Sequence, residues 1–226
     1  MRVLMISPHP DDIEISCGGL VAQLTREGHV VELVMVTGEG DLTMQHSKVT
    51  VTWGERKLEQ EQAAEVLGIS KVHWLNFAPA SKFDTQPISK LVTALDAVLA
   101  EGWDEAYIPL PSHAEDHNVV WKACLAALRP TKADSLNVYA YEQPTQFHGE
   151  QLGFAINCTR YVELTEHDMA VKLEALGKHG SQVSTRAGTL VGLAGVVKLA
   201  EMRGMQIGVK YAEAYLPLKI VQKVKA

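Results

Sequence analysis

Short apolar runs alternate with longer amphipathic segments through the first half of the chain. Arg2 to Ser7 reads as a buried strand, and Gly18 to Glu27 as a helix that Gly28 ends. Val30 to Thr37 reads as a second strand. Thr52 to Leu67 carries apolar residues at Leu58, Ala63, Val66 and Leu67 and stops at Gly68, the pattern of a helix. Val72 to Leu75 is a third strand, Ile88 to Ala100 a helix, and Glu105 to Leu110 a fourth strand. After Asp116-His117 a further helix runs to about Leu128. This order predicts an α/β fold, a doubly wound and mostly parallel sheet with helices on both faces.

The second half is less regular. Leu136 to Tyr141 and Tyr161 to Leu164 look extended, whereas Asp168 to Gly180 and about Thr185 to Met202 look helical. No internal repeat interrupts the chain, so residues 1–226 are read as one domain. Gly38 to Val51 is mostly polar and without period, the character of a functional rim or lid.

Composition narrows the class of protein. Hydrophobic residues make up 46% and charged residues 21%, as in soluble globular proteins. The formal charge of −6, with no basic stripe, argues against nucleic acid as a partner. No apolar run approaches the length of a membrane span, and the N-terminal residues do not form a secretory signal. Cys17, Cys124 and Cys158 lack CxxC spacing and read as buried thiols in a reducing compartment, so the expected location is cytoplasmic.

Two segments carry the chemistry. Pro8-His9-Pro10-Asp11-Asp12-Ile13-Glu14 follows the first strand, and Pro111-Ser112-His113-Ala114-Glu115-Asp116-His117 follows the fourth. In a sheet ordered 3-2-1-4 these strands are neighbours whose connections leave in opposite directions. Ligands bind at the carboxyl ends of such a pair. Imidazole and carboxylate together suit zinc, and a hydrolytic zinc site needs three protein ligands and one open position. His9, Asp12 and His117 would supply that set. Asp11 is then free to take a proton from a water acidified by the metal and to deliver it to a leaving amine.

Plainer readings compete. His9-Pro10-Asp11-Asp12 could be a helix N-terminus whose carboxylates complement the dipole. His113 and His117 could share one exposed helical face. Gly18-Gly19 is no GxGxxG fingerprint, so Glu39 gains little support as a ribose-binding acid. No GxSxG elbow occurs, and no cysteine has a convincing histidine partner.

His9-Pro10-Asp11-Asp12, followed by Glu14 and Gly18-Gly19, resembles the signature of the LmbE-like, or PIG-L, family of zinc N-acetyl-sugar deacetylases. The likeness continues along the chain. Thr37-Gly38-Glu39 looks like the family's segment after strand two, shortened by one residue. Arg56, Glu59, Ala63, Leu67 and Gly68 match its R-x-x-E helix, and Asp116-His117 the end of its H-x-D-H motif. Lys172, Leu173, Ala175, Leu176, Ser181 and Gln182 match a later helix. Arg203-Gly204 and Tyr211-Ala212-Glu213-Ala214-Tyr215 resemble the closing pattern.

The resemblance implies a Rossmann-like hydrolase with His9, Asp12 and His117 as ligands to Zn2+, Fe2+ being the other candidate, and Asp11 as base. It also implies a histidine three positions before the last ligand. Ala114 stands there, so His113, one residue out of register, is the candidate for the second catalytic group. Glu39, Arg56 and Arg203 are the candidates for substrate contact, with buried ion pairs as the alternative for each.

The expected substrate is a small N-acetylglucosamine-type conjugate, selected by the loops Gly38 to Val51 and Gln143 to Gln151. Homo-oligomers are common in the family. Asp116 is expected to orient an imidazole. His29 and His73 read as structural and His46 as a loop residue that could touch substrate. His148, His167 and His179 read as surface residues. The rival classes are a non-catalytic metal- or sugar-binding module and a metal-dependent phosphoesterase.

Overall fold

The structure is a computed structural model that describes residues 1–43, 49–129, 135–144, 157–183 and 186–222. Strand β1 (Arg2–Ser7) lies between β2 (Val30–Thr37) and β6 (Glu105–Pro109), parallel to both. The seven-stranded sheet runs β5 (Lys71–Ala78), β2, β1, β6, β7 (Asn137–Tyr141), β9 (Tyr211–Lys219), β8 (Arg160–Leu164). The four strands read first thus take the expected 3-2-1-4 order. Strands β5 to β7 of that sequence of neighbours are parallel, and β9 is antiparallel to both β7 and β8. A short hairpin, β3 (Leu42–Thr43) with β4 (Thr50–Val51), stands apart within the polar Gly38 to Val51 segment.

Alternation along β1 builds two cores. Leu4 and Ile6 face the layer of α3 (Ile88–Leu99) and α4 (Glu115–Ala127), where they join Leu91, Leu95, Val120 and Ala123. Val3 and Met5 face α1 (Asp12–Arg26) and α2 (Trp53–Leu67), meeting Ile13, Cys17, Leu20, Ala63 and Leu67. Both faces of β1 are therefore apolar, as in a strand covered by helices on each side. The three cysteines are free and buried. Among the described residues no helix is long and apolar enough to cross a membrane.

Helix α1 starts at Asp12, six residues before the apolar pattern suggested. Its first turns carry buried polar residues, Glu14 and Ser16, which break the apolar period while still facing the interior. Gly18 and Gly19 then allow a close approach. A Cβ at Gly19 would lie 2.4 Å from Leu164 Cδ1, and one at Gly18 2.9 Å from Lys172 Cγ.

The later elements depart further from the pattern. Helix α5 (Glu166–Gly177) ends sooner than expected, a short α6 (Gly180–Val183) follows, and α7 (Leu193–Ile207) begins well after Thr185. Strand β9 carries the closing Tyr-Ala-Glu-Ala-Tyr motif, where Glu213 is buried. Its carboxylate accepts from Lys172 Nζ at 2.5 Å and from Tyr215 O–H at 2.7 Å.

Candidate active site and metal centre

The turn leaving β1 is built by its own backbone and short side chains. Ser7 Oγ donates to His9 O at 2.7 Å, and Asp12 Oδ2 accepts from the His9 N–H at 3.0 Å. Asp11, the N-cap of α1, sits at φ 97°, a left-handed conformation that non-glycine residues adopt at a cost. Its carboxylate does not cap the helix. The segment is a helix N-terminus with Asp12 and Glu14 in its first turn, as the plainer reading has it, but the Asp11 carboxylate is not used for capping.

The turn leaving β6 is held by Ser112. Its Oγ accepts from the Ala114 N–H at 3.1 Å and lies 3.0 Å from His117 Nδ1. His117 and Asp116 are both in the first turn of α4 and both buried. The two turns meet through Asp116, whose Oδ2 is 2.7 Å from His9 Nε2. Asp116 also accepts from the N–H groups of Ser81 and Phe83, so it ties the chain after β5 to the same point. As expected, it orients an imidazole.

Two imidazoles converge on one carboxylate oxygen. His9 Nδ1 lies 3.5 Å and His117 Nε2 3.4 Å from Asp12 Oδ2, and one donor atom from each of the three residues lies within 4.8 Å of the others. In the neutral tautomers with the proton on His9 Nε2, toward Asp116, and on His117 Nδ1, toward Ser112, the other ring nitrogens face Asp12 as metal ligation requires. Tetrahedral zinc, with ligands at about 2.0–2.2 Å, sets neighbouring ligand atoms about 3.3–3.5 Å apart. The donor types and these two separations fit such an ion.

Electrostatics at the cluster follow from its burial and mutual charges. Burial opposes the charged form of His9, but hydrogen bonds and charges from Asp116 and Asp12 outweigh it and raise its pKa to about 9. Burial likewise disfavours ionised Asp12, yet His117 and His9 hold it well below the ordinary carboxylate range. Gln143 Nε2 donates to the other oxygen, Asp12 Oδ1, at 2.5 Å.

A cavity of about 270 Å³ opens over the cluster and is lined by His9, Asp11, Asp12, Arg56, His117 and Arg186, among others. Leu42 from the β3–β4 hairpin and Gln143 also line it, so both expected rim segments reach it. Arg56 is buried on α2, donates from Nη2 to Pro10 O at 3.2 Å and leaves Nε without a partner. Burial lowers its pKa, against the charges of Asp11 and Asp12.

Other sequence candidates fall elsewhere. His113 is exposed and outside the cavity lining, where Ala114 stands instead. The turn that seats His117 through Ser112 leaves His113 on its solvent side. Glu39 is exposed just beyond β2 and also outside the lining. Arg203 is paired with both carboxylate oxygens of Glu142, at 2.6 Å from Nε to Oε1, which realises the ion-pair alternative. His179, expected at the surface, is fully buried 3.4 Å from Glu14 Oε2. His73 bonds Glu32 Oε2 at 2.6 Å, and His167 is exposed. His46 and His148 lie outside the described residues.

Gln60 and Arg186 were not foreseen, and Gln143 was expected only as part of a rim loop, not as a partner of Asp12. Each comes from an element remote in sequence from the residue it touches. Gln182 had a signal, its place beside Ser181 in the later helical motif.

Residues 4–128 match the family model of PIG-L, GlcNAc-PI de-N-acetylase. The chain belongs to this PIG-L, or LmbE-like, family. It is similar to the uncharacterized deacetylase YaiS of Escherichia coli K12, 28% identical over 79% of this chain and 90% of that protein. It is 35% identical to the diacetylchitobiose deacetylase of Thermococcus kodakarensis over 42% of this chain and 36% of that protein. The fold matches the zinc inhibited form of teicoplanin deacetylase Orf2 with a TM-score of 0.75 at 16% identity, covering 96% of this chain and 97% of that one. At that identity the likeness concerns the fold alone, and function is argued from the site.

Proposed function

We propose that this protein is a metal-dependent N-deacetylase that removes the acetyl group from an N-acetylglucosamine-type moiety of a small glycoconjugate, with zinc as the ion. The observation that carries this reading is the convergence of His9, Asp12 and His117 at the cavity that Asp11 also lines. A divalent ion held by the three side chains supplies the charge that acidifies water near neutral pH and polarises the amide carbonyl.

The protein's own groups do the rest. Asp11 takes the proton of the attacking water through its Oδ1, to which no described residue donates a hydrogen bond. It returns that proton to the amine nitrogen as the C–N bond breaks, so the products are acetate and the free amine. Asp116 and Ser112 hold the two imidazoles in the ligating orientation. Arg56, with its unpartnered Nε, is the candidate substrate contact. Leu42 and Gln143 form part of the wall that selects the aglycone.

A binding module of the same fold has no use for a carboxylate held in a left-handed conformation beside the ligands. A phosphoesterase reading wants a second metal or a phosphate-cradling loop. The other described metal-capable group, Glu32, His73 and Glu101, lies at the opposite strand ends, with Arg2 3.3 Å from Glu32.

The test pairs acetate release with metal content. Zinc-loaded protein should release acetate from N-acetylglucosamine conjugates, and Asp11→Ala should retain zinc while losing about 10²–10⁴-fold in turnover. The Asp12→Ala/His117→Ala double variant should lose stoichiometric metal. Native-like acetate release by Asp11→Ala, or near-stoichiometric metal in the double variant, overturns the assignment.

A further inference from the structure

The described residues between α5 and α7 contribute nothing to the ligand set, yet one of them reaches the candidate base. Arg186 Nη1 donates to Asp11 Oδ2 at 2.6 Å, across 175 residues. Asp11 is 2% exposed, and the Arg186 side chain 25% exposed, so the pair lies at the cavity wall largely away from water. The contact takes one oxygen of Asp11. Asp11 Oδ1 accepts no hydrogen bond from any described residue.

Arg186 is itself held from several directions. Its Nη2 donates to Gln182 Oε1 at 3.1 Å, and Gln182 Nε2 donates to Ser181 Oγ. Ser181 donates through both N–H and Oγ to Glu59 on α2, each at 2.7 Å. His179, at the start of this segment, packs against Glu14 of α1. Thr189 bonds Arg186 O through both N–H and Oγ1. A Cβ at Gly192 would lie 2.3 Å from that same oxygen, so the turn closes on Arg186 because position 192 lacks a side chain.

The other side of Asp11 is also fixed. Its backbone N–H donates to Gln60 Oε1, and Gln60 Nε2 donates to Glu14 Oε1 at 2.8 Å. Gln60 of α2 and Arg186, beyond α6, thus hold Asp11 from two sides, at its backbone and at its carboxylate.

We propose that Arg186 is a positioning residue for Asp11: its guanidinium holds Oδ2 so that Oδ1 faces the reacting water. A carboxylate free to rotate about its χ angles spends much of its time with neither oxygen in line, and a loss of about 1 Å in placement costs on the order of 10²-fold in rate. The inference rests on the deacetylase reading for the reaction that Asp11 serves. The Asp11–Arg186 contact itself does not.

The experiment uses the full chain with Arg186→Gln, Arg186→Lys, Asp11→Asn and the Asp11→Asn/Arg186→Gln double variant. Zinc content should stay at the native level in Arg186→Gln. With an N-acetylglucosamine conjugate as substrate, kcat should fall about 10²-fold with little change in KM. Arg186→Lys, and guanidinium ion added to Arg186→Gln, should each restore part of the loss. A rise in KM at unchanged kcat would make Arg186 a substrate contact instead, and unchanged kinetics would make it a wall residue. Loss of zinc with the arginine would make its role structural. Each of these overturns the proposal.

Urea unfolding of the metal-free single and double variants gives a reading independent of activity. Midpoint shifts should be non-additive, because the two residues interact directly. If the native protein released no acetate from any conjugate, the deacetylase reading would fail. Non-additive midpoints would then still support the hold of Arg186 on Asp11, and additive ones would overturn it.

Discussion

Asp116 Oδ2 lies 2.7 Å from His9 Nε2, and this contact joins two motifs separated by 107 residues. It fixes the orientation of the imidazole whose other nitrogen faces Asp12. Burial opposes the charge on Asp116, but His9 and the N–H groups of Ser81 and Phe83 hold its pKa below the usual range. It is therefore an ionised acceptor under ordinary conditions.

Asp116→Asn keeps the shape and removes the charge. Zinc affinity should fall about 10–100-fold, the usual cost of losing a carboxylate behind a ligating histidine. Competition against a chromophoric chelator measures it. Native affinity in the variant would reduce Asp116 to an anchor for residues 81–83.

His113 lies outside the cavity lining, so His113→Ala should leave turnover and its pH dependence at native values. Steady-state acetate release across the neutral range checks this. A lost limb of the pH profile would instead bring His113 into the reaction.

The buried pair of His179 and Glu14 predicts a pH dependence of stability. Burial works to lower the His179 pKa, but Glu14, with Asp11 and Glu59 beyond it, raises it above the ordinary 6.5. The folded state therefore binds this proton more tightly than the unfolded chain does. Its stabilisation is complete below the unfolded value and fades as pH rises through the folded one. The stability gap between the native protein and His179→Gln should narrow as pH rises above the ordinary 6.5. Urea midpoints at several pH values would show it, and a gap that widens with pH contradicts the pairing.

Lys172 Nζ is 2.5 Å from Glu213 Oε1, with both side chains buried beneath Gly18 and Gly19. Lys172→Met fills the space but strands the carboxylate. The expected cost is about 3–5 kcal/mol, the penalty of an uncompensated buried charge. Denaturant unfolding tests it. A change below about 1 kcal/mol would mean that the N–H groups of Gly19 and Leu20 and the Tyr215 O–H, which also bond Glu213, suffice without the lysine.

Much of the site was legible because its chemistry is local. His9, Asp11 and Asp12 are contiguous, Asp116 and His117 adjacent, and strand order at a parallel switch point brings the two groups together. Apolar runs such as those of β1 and β2 announce strands without reference to anything distant. By contrast, His179 looks like a surface residue in one dimension, and Glu14, Lys172 and Glu213 stand out only as motif positions without partners. Their burial depends on partners supplied by other elements.

The sequence by itself pointed to the 3-2-1-4 order of the first four strands, to the metal-ligating candidates and to the carboxylate beside them. Those follow from the alternation of strands and helices, from residue types at strand ends and from the resemblance to the family's motifs. Only the tertiary structure decided the rest. It set His113 and Glu39 outside the cavity, bound Arg203 to Glu142, buried His179 against Glu14 and brought Arg186 to Asp11. The physical reason is that a charged side chain takes its role from its partner. Here the partners lie from 61 to 175 residues away, beyond the reach of any local pattern.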